Sequence, residues 1–309
     1  MPCAPPGLAI RLLRLLLSRQ AQQKVRRAST ILASQARTGA GHRAPEPKLF
    51  RKTTTMFLLD TFSVTQLATI AAAYFIAALV KGVTGLGYSS TCLPILTLAF
   101  GLKDALPLVL IPSVASNLVV MMSTGGFSAS LRRFWPMVLS AAVSVFAGLW
   151  LLTQIRSESA AAVLGAVLLL YVIFALSNAR FRLTEARTRQ FEPAIGAATG
   201  FINGLTGSQV MPLIPYLLSL DLARERFIHA SNQSFTLSSA AMFVGLGLAG
   251  LMTVQVVAVS VCGLVLVALG VRIGQRISRL LAPEAFRTAV LIVLAALGLG
   301  LIFRAVGWL

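Results

Sequence analysis

A glycine- and hydroxyl-rich segment occurs twice in this chain, each time inside apolar sequence and followed by a short run that contains a proline. The first copy spans residues 81–94 and the second spans residues 199–212. Backbone that leaves helical geometry inside a bilayer finds no water there, so it must lie against protein or line a polar cavity. Paired interrupted helices, one in each half of a chain, are typical of a transporter's binding site. The sequence therefore predicts a membrane protein with a polar site where two broken helices meet.

The composition supports a membrane protein. Hydrophobic residues make up 57% of the chain and charged residues 12%, against about 25% charged residues in soluble domains. The net charge of +18 falls mainly on the N-terminal segment and the loops, and no segment combines basic with aromatic side chains as nucleic-acid surfaces do. The lipid bilayer is the expected partner, and nucleic acid is not. Cys3, Cys92 and Cys262 are far apart and have no metal-ligand spacing, so neither a metal nor a cofactor is expected.

The N-terminal segment, residues 1–55, carries 11 of the 27 Lys and Arg residues and a single acid. Three interpretations stay open: a transit-peptide-like leader, a start placed too far upstream with Met56 as the true initiator, or a disordered basic arm on the cytoplasmic leaflet. We expect this leader at 1–55, a first transmembrane repeat at 56–190 and a second repeat at 191–309.

Ten apolar runs follow Met56. A helix that crosses a bilayer needs about 20 residues, and the third, fourth, fifth, eighth, ninth and tenth runs reach or approach that length. The second, sixth and seventh runs are too short, and they flank the two glycine-rich breaks. The pattern predicts an all-α polytopic protein with short broken half-helices. The runs lie at 63–80, 89–101, 104–123, 134–153, 159–178, 194–206, 209–220, 227–248, 253–271 and 286–306.

The loop charges orient these runs, because cytoplasmic loops collect Lys and Arg. One threading leaves only Lys103, Arg156 and Arg304 on the outer side. That threading gives two five-segment halves of opposite orientation, which is an inverted repeat. The arginines that it places inside are Arg132, Arg133, Arg180, Arg182, Arg187, Arg189, Arg224, Arg226, Arg272, Arg276, Arg279 and Arg287.

The two breaks align with each other without gaps. Gly82 pairs with Gly200 and Pro94 pairs with Pro212, and we expect these four residues to shape the breaks. A half-helix that begins in such a break presents unpaired N–H groups and a positive dipole end, which suit an oxyanion. Lys81 adds a positive charge. The predicted substrate-binding residues are Lys81, Thr84, Gly85, Gly87, Ser89, Ser90, Thr91, Asn117, Asn203, Gly204, Thr206, Gly207, Ser208, Gln209 and Asn232.

Other interpretations of these residues stay open. Glycine and serine in membrane helices often serve close helix packing alone. The side chain of Lys81 could instead extend to the cytoplasmic interface. Asn117 and Asn232 could instead form hydrogen bonds between helices. An enzyme is not expected, because no carboxylate falls within a long apolar run. Only His229 could act as a base for a serine, and its expected position near the inner interface suits that role poorly.

The Gly-x-x-Gly-x-Gly break before a proline-containing half-helix, repeated after a central basic loop, resembles the TauE/SafE sulfite exporter family from about Thr65 to the C-terminus. The resemblance implies a multi-pass transporter for sulfite, thiosulfate, sulfoacetate or another small organosulfur anion. The expected location is the bacterial inner membrane. The alternatives are a transporter or channel for other small anions or carboxylates, and a membrane partner subunit that transports nothing.

Overall fold

The computed structural model describes residues 62–122, 127–177, 188–278 and 283–307. These segments contain ten α-helices and one 3-10 turn, and no strand occurs within them, so the all-α prediction is confirmed. The N-terminal segment 1–55 and the arginines Arg180, Arg182, Arg187 and Arg279 lie outside the described residues. The helices are α1 (Val64–Thr84), α2 (Tyr88–Phe100), α3 (Leu102–Met122), α4 (Phe127–Gln154), α5 (Ser157–Leu176), α6 (Glu192–Thr206), α7 (Leu213–Ser219), α8 (Arg224–Leu248), α9 (Val254–Ile277) and α10 (Pro283–Val306).

Within the described residues, six helices are long and apolar enough to cross a membrane: α1, α3, α4 from Ser130, α5, α9 and α10. The set differs from the expected one at two runs. The first run does not stop at residue 80 but continues to Thr84, which gives α1 a length of 21 residues. The eighth run forms the 25-residue α8, but this helix is too polar to belong to the six. The short helices α2, α6 and α7 have 13, 15 and 7 residues, as the breaks predict.

Most uncharged polar side chains of α8 are buried, and residues 228–235, more than two turns of the helix, are buried on every side. Such a helix is stable in a membrane only when neighbouring helices separate its polar groups from lipid, and α8 packs against both α3 and α4. It therefore places polar side chains inside the bundle. The buried polar residues of α8 are His229, Ser231, Asn232, Gln233, Ser234, Ser238 and Ser239.

Glycines bring several pairs of helices into backbone contact, and two of these pairs include a helix that ends at a break. Where α4 meets α6, a Cβ added at Gly204 would meet Leu149 N at 2.7 Å and the Cα of Gly148 at 2.9 Å. Where α1 meets α9, a Cβ added at Gly82 would meet the Cα of Gly274 at 2.9 Å. Small residues at such crossings allow close van der Waals packing in lipid. Gly82 and Gly204 therefore lie at helix contacts.

A buried tyrosine joins three of the helices away from the breaks. Tyr74 on α1 is fully buried, and its hydroxyl donates to the carbonyl of Leu108 on α3 at 2.5 Å. Ser260 on α9 donates to the same carbonyl at 3.2 Å. Because α3 has Pro107 and Pro112 inside it, some of its carbonyls lack the usual helical donor. The two hydroxyls supply donors in that region.

Candidate functional site

The first break joins α1 to α2 through two glycines in the left-handed region. Gly85 ends α1 with φ 79°, and Gly87 is the N-cap of α2 with φ 89°. Only glycine adopts these angles without strain. No side chain caps the N-terminus of α2, so its first N–H groups face the break. The hydroxyl of Ser90 donates back to the carbonyl of Gly87 at 3.1 Å.

The second break differs from the sequence expectation. We expected the half-helix after it to begin near residue 209, with its N-terminus at Thr206 to Gln209. The chain instead runs without helix from Gly207 through Val210, fully buried, and α7 begins only at Leu213. Pro212 accounts for the last part of this segment, because a proline disfavours helical geometry at the residue before it, here Met211. The predicted dipole site at Thr206–Gln209 therefore does not form.

The two breaks nevertheless share one turn, Thr84–Leu86 in the first and Thr206–Ser208 in the second. In each turn the glycine N–H donates to the carbonyl four residues earlier, at 2.7 Å. The threonine hydroxyl also donates to the carbonyl four residues earlier, at 2.9 and 2.7 Å. The N–H after the glycine donates to that hydroxyl, at 3.1 and 3.2 Å. This correspondence matches Gly82 with Gly204, whereas the ungapped alignment paired it with Gly200, one helical turn away.

Lys81, in the last turn of α1, is 1% exposed. Its Nζ donates to Oδ1 of Asn117 on α3 and to Oδ1 of Asn232 on α8, the second at 2.6 Å. The Nδ2 of Asn232 donates to the carbonyl of Ile228 at 2.7 Å and reaches the carbonyl of Gly85 at 3.4 Å. Among the described residues, no carboxylate lies within ion-pair distance of Lys81. Lys81, Gly85, Asn117 and Asn232 thus form one buried polar cluster, which we call the Lys81 cluster.

The predicted residues of the second break do not join that cluster. The Nε2 of Gln209 donates to Ser239 on α8 at 2.9 Å. Ser239 lies seven residues after Asn232, which is about 10 Å along a helix. The Nδ2 of Asn203 and the Oγ of Ser208 are buried without a hydrogen-bond partner among the described residues. The structure therefore has two polar centres, one at each break, and α8 contacts both.

The remaining predicted residues have varied positions. Ser89 exchanges a hydrogen bond with Ser113 on α3 at 2.9 Å. Thr91 is 2% exposed, and its Oγ1 has no partner within the described part of the chain. Pro94 lies inside α2 and does not shape the break. Gly200 packs against α4, where an added Cβ would meet the Ala141 backbone.

A cavity of about 690 Å³ reaches the first break. Thr84, Gly87, Ser90 and Thr91 line it, whereas Lys81 does not. Exposed Asp221, Arg224 and Arg287 lie on its lining too. The cavity is therefore deep and polar at the first break, and charged where it is exposed. Its other lining residues are Val80, Val83, Leu86, Tyr171, Phe174, Ala175, Val210, Ile214, Leu218, Phe227, Ser278, Phe286, Val290, Leu291 and Leu294.

A sequence model of the sulfite exporter TauE/SafE family matches residues 70–301. The chain belongs to the TauE/SafE family. Its members are membrane transporters of sulfite-like anions and not enzymes, so this chain is a multi-pass integral membrane transporter. No curated protein and no solved structure matches the chain.

The sequence analysis missed one buried carboxylate of this TauE/SafE transporter. Glu192 at the start of α6 is fully buried and forms an ion pair with Arg133 on α4. The hydroxyl of Tyr216 on α7 donates to the same carboxylate at 3.2 Å. Glu192 precedes a proline, a pattern typical of a helix start, but it lay just outside the apolar run that we predicted from residue 194.

His229, which was expected near the inner interface, lies five residues after Arg224 at the start of α8. It is 3% exposed, and neither ring nitrogen has a hydrogen-bond partner among the described residues. No group of three or more His, Cys, Asp and Glu side chains within that part of the chain is arranged to hold a metal ion.

Proposed function

We propose that this transporter moves sulfite, thiosulfate, sulfoacetate or another small organosulfur anion through the first helix break, with Lys81 as the group that attracts it. The observation that carries the proposal is the environment of Lys81, which is buried with amide oxygens as partners and has no carboxylate of the described residues in ion-pair range. A buried charge normally has a counter-ion. An anionic substrate would supply it, and Lys81 uses only two of its three N–H donors on the asparagines.

The cavity supports an approach to this site from the side of Arg224 and Arg287. By the positive-inside rule that side is the cytoplasm, and the membrane we propose is the bacterial inner membrane. Lys81 is 1% exposed and does not line the cavity, so no open pore leads past it. This occlusion favours a transporter over a channel. A negative-inside potential drives anions outward by about 2.3 kcal/mol per charge for each 100 mV, so export needs no coupled ion.

We also propose that residues 56–190 and 191–309 are two inverted repeats. The packing of α1 on α9 corresponds to the packing of α6 on α4. The packing of α3 on α9 corresponds in the same way to the packing of α8 on α4. Both halves contain five helices, of which the second is short and the last three are long, and both contain the shared threonine–glycine turn. Their first helices differ in length, with 21 residues in α1 and 15 in α6. Rocking of such repeats about a central site is a common route to alternating access.

Flux into proteoliposomes tests the role of Lys81. We expect Lys81→Met to lower the kcat/KM for sulfite and sulfoacetate by roughly 10- to 100-fold, because a hydrogen bond to a charged group contributes ~1.5–3 kcal/mol. Lys103→Met is the matched control, since Lys103 lies at the start of α3 away from both breaks, and we expect it to leave flux unchanged. Both variants should elute as monodisperse protein.

Several outcomes would contradict the proposal. Unchanged kcat/KM in Lys81→Met, in protein that elutes normally, would remove Lys81 from the site. Flux that rises linearly with anion concentration, without saturation, would indicate a channel. Absence of flux for every anion in folded wild-type protein would refute transport and leave the alternative of a membrane partner subunit that transports nothing.

A further inference from the structure

The cavity of about 690 Å³ is half open, and its exposed rim carries both charge and apolar surface. Arg224 at the start of α8 and Arg287 near the start of α10 lie on the lining and are exposed. Leu218 on α7 lies on the same lining and is 54% exposed. The rim therefore combines guanidinium groups with apolar surface, which is unusual for an opening that meets only water.

The charge on this rim is positive. Within the described residues, neither Arg224 nor Arg287 forms an ion pair with a carboxylate. Asp221 is the single acid on the described lining, so the rim has a net charge of +1. Arg287 donates one N–H to the carbonyl of Ala175 at 2.6 Å. Ala175 lies in the last turn of α5, where carbonyls lack a helical donor, so this bond holds the guanidinium at the end of α5.

The wall behind the rim is mainly apolar. Phe174 on α5, Ile214 on α7, Phe227 on α8 and Leu294 on α10 all line the cavity. Cavities of 300–1,000 Å³ with such walls usually hold organic ligands. A small oxyanion at the rim gains nothing from this wall, whereas an alkyl chain gains free energy when it is buried there. The wall and the rim together therefore fit a ligand with a long apolar part and an anionic group.

The lipid-facing surface lies directly beside this cavity. Helix α5 is one of the six helices that are long and apolar enough to cross a membrane. Its residues Ile173 and Leu176 are 64% and 58% exposed, and they flank Phe174 and Ala175, which line the cavity. Exposed apolar side chains on such a helix face acyl chains. An acyl chain can therefore reach the apolar wall from the bilayer.

The two arginines lie on the side where anionic lipids occur. The positive-inside rule places Arg224 and Arg287 at the cytoplasmic face, and the cytoplasmic leaflet carries the negative surface potential of anionic lipids. Basic pockets between membrane helices on this side bind lipid headgroups. The charge of the rim is therefore complementary to the headgroups next to it.

We infer that this cavity binds an anionic phospholipid of the cytoplasmic leaflet, with its phosphate at Arg224 and Arg287 and one acyl chain along the apolar wall. The inference goes beyond the proposed function, because lipid binding requires no transport. A lipid bound there would also occupy the approach that we propose for the anion.

The test is native mass spectrometry of the full chain in neutral detergent, with increasing concentrations of dioleoylphosphatidylglycerol. We expect saturable binding that is tighter than that of dioleoylphosphatidylcholine, which has the same chains and no net charge. Arg224→Gln should raise the Kd for the anionic lipid about fivefold, the ratio that corresponds to the ~1 kcal/mol of one basic residue. Arg226→Gln is the matched control, since Arg226 is exposed two residues later and does not line the cavity, and we expect an unchanged Kd.

A second pair of variants tests the position of the acyl chain. Phe174→Ala shortens the apolar wall, and we expect weaker binding of the anionic lipid. Phe243→Ala is the matched control, because Phe243 is 40% exposed and does not line the cavity. Glycerol 3-phosphate and sulfite, added at the concentration of the lipid, should not displace it, because neither has a chain to bury.

Four results would overturn the inference. Equal Kd values for the two lipids would remove the anionic headgroup from the site. Equal weakening by Arg224→Gln and Arg226→Gln would assign binding to the general charge of the cytoplasmic face. Equal binding by Phe174→Ala and Phe243→Ala would place the chain outside the cavity. Displacement of the lipid by glycerol 3-phosphate or sulfite would identify a site for small anions instead. None of these results decides whether the protein transports sulfite, which the flux assay measures separately.

Discussion

A single methyl group at the contact of α4 with α6 should separate the packing role of the glycines from any role in binding. In Gly204→Ala the new Cβ would lie 2.7 Å from Leu149 N, about 0.8 Å closer than the ~3.5 Å of an optimal heavy-atom contact. The obstacle is backbone on both sides, since the Cα of Gly148 would lie at 2.9 Å. Backbone cannot rotate away as a side chain does, so the two helices must move apart.

The magnitude follows from comparison with a glycine that has room. Gly300 on α10 would place its Cβ 3.9 Å from the nearest atom, on Leu98, which is an ordinary contact. Both substitutions gain the same helix propensity, up to about 1 kcal/mol, so their difference isolates the packing term. Overpacking of this kind costs about 1–3 kcal/mol. For a chain of this size each 1 kcal/mol corresponds to about 2–4 °C in Tm, which gives a difference of roughly 2–12 °C.

The assay is thermal unfolding of each variant in detergent, followed by loss of monodisperse protein in size-exclusion chromatography. We expect Gly300→Ala to melt at or above the wild-type temperature and Gly204→Ala to melt below it. Equal Tm values for the two variants would refute the argument, because α4 and α6 would then not be held at the backbone contact. A normal Tm with lost anion flux in Gly204→Ala would instead give this glycine a role in transport.

Three further predictions concern stability and use the same melting assay. Tyr74→Phe removes a buried hydroxyl that donates to a carbonyl of α3, and we expect a loss of about 0.5–1.5 kcal/mol; an unchanged Tm would contradict it. Glu192→Gln leaves Arg133 without its counter-ion, for a loss of about 1–3 kcal/mol, whereas the control Glu158→Gln should change Tm little because Glu158 is 54% exposed. Ser157→Ala removes the hydroxyl that accepts from the first N–H groups of α3; a loss of about 1 kcal/mol is expected, and a rise in Tm would show that this contact stabilises nothing.

The order of the helices could be predicted from the sequence because lipid imposes a length on every apolar segment. All ten runs became helices, most with ends within a few residues of the predicted ones. The error that changes the predicted site is the start of α7, which lies at Leu213 and not at residue 209. A run of apolar letters does not show whether its backbone is helical, and Val210 and Met211 before Pro212 are apolar but not helical. At a break, apolar character and helical geometry are separate properties.

The correspondence between the two breaks was predicted in the wrong register for a similar reason. Ungapped alignment rewards identical letters, and it selected Gly82 with Gly200. The structural equivalence depends on which glycine ends its helix with positive φ, which is Gly85 in one half and Gly207 in the other. The threonine before each of these glycines was the available sequence signal, because its hydroxyl can bond both the preceding turn and the next N–H.

Lys81 is the candidate site residue whose position could not be predicted from the sequence. A lysine near the end of an apolar run fits two positions, a charged end extended to water and a buried ligand, and its spacing is the same in both. The structure places its Nζ between amides of α3 and α8, with 1% of the residue exposed. That position excludes extension to the membrane surface in this conformation. Because the two amides come from different halves of the chain, Lys81 joins the halves at the point where we propose that its remaining N–H attracts the anion. Substrate binding at this site would therefore change the contact between the halves, which is the coupling that alternating access requires.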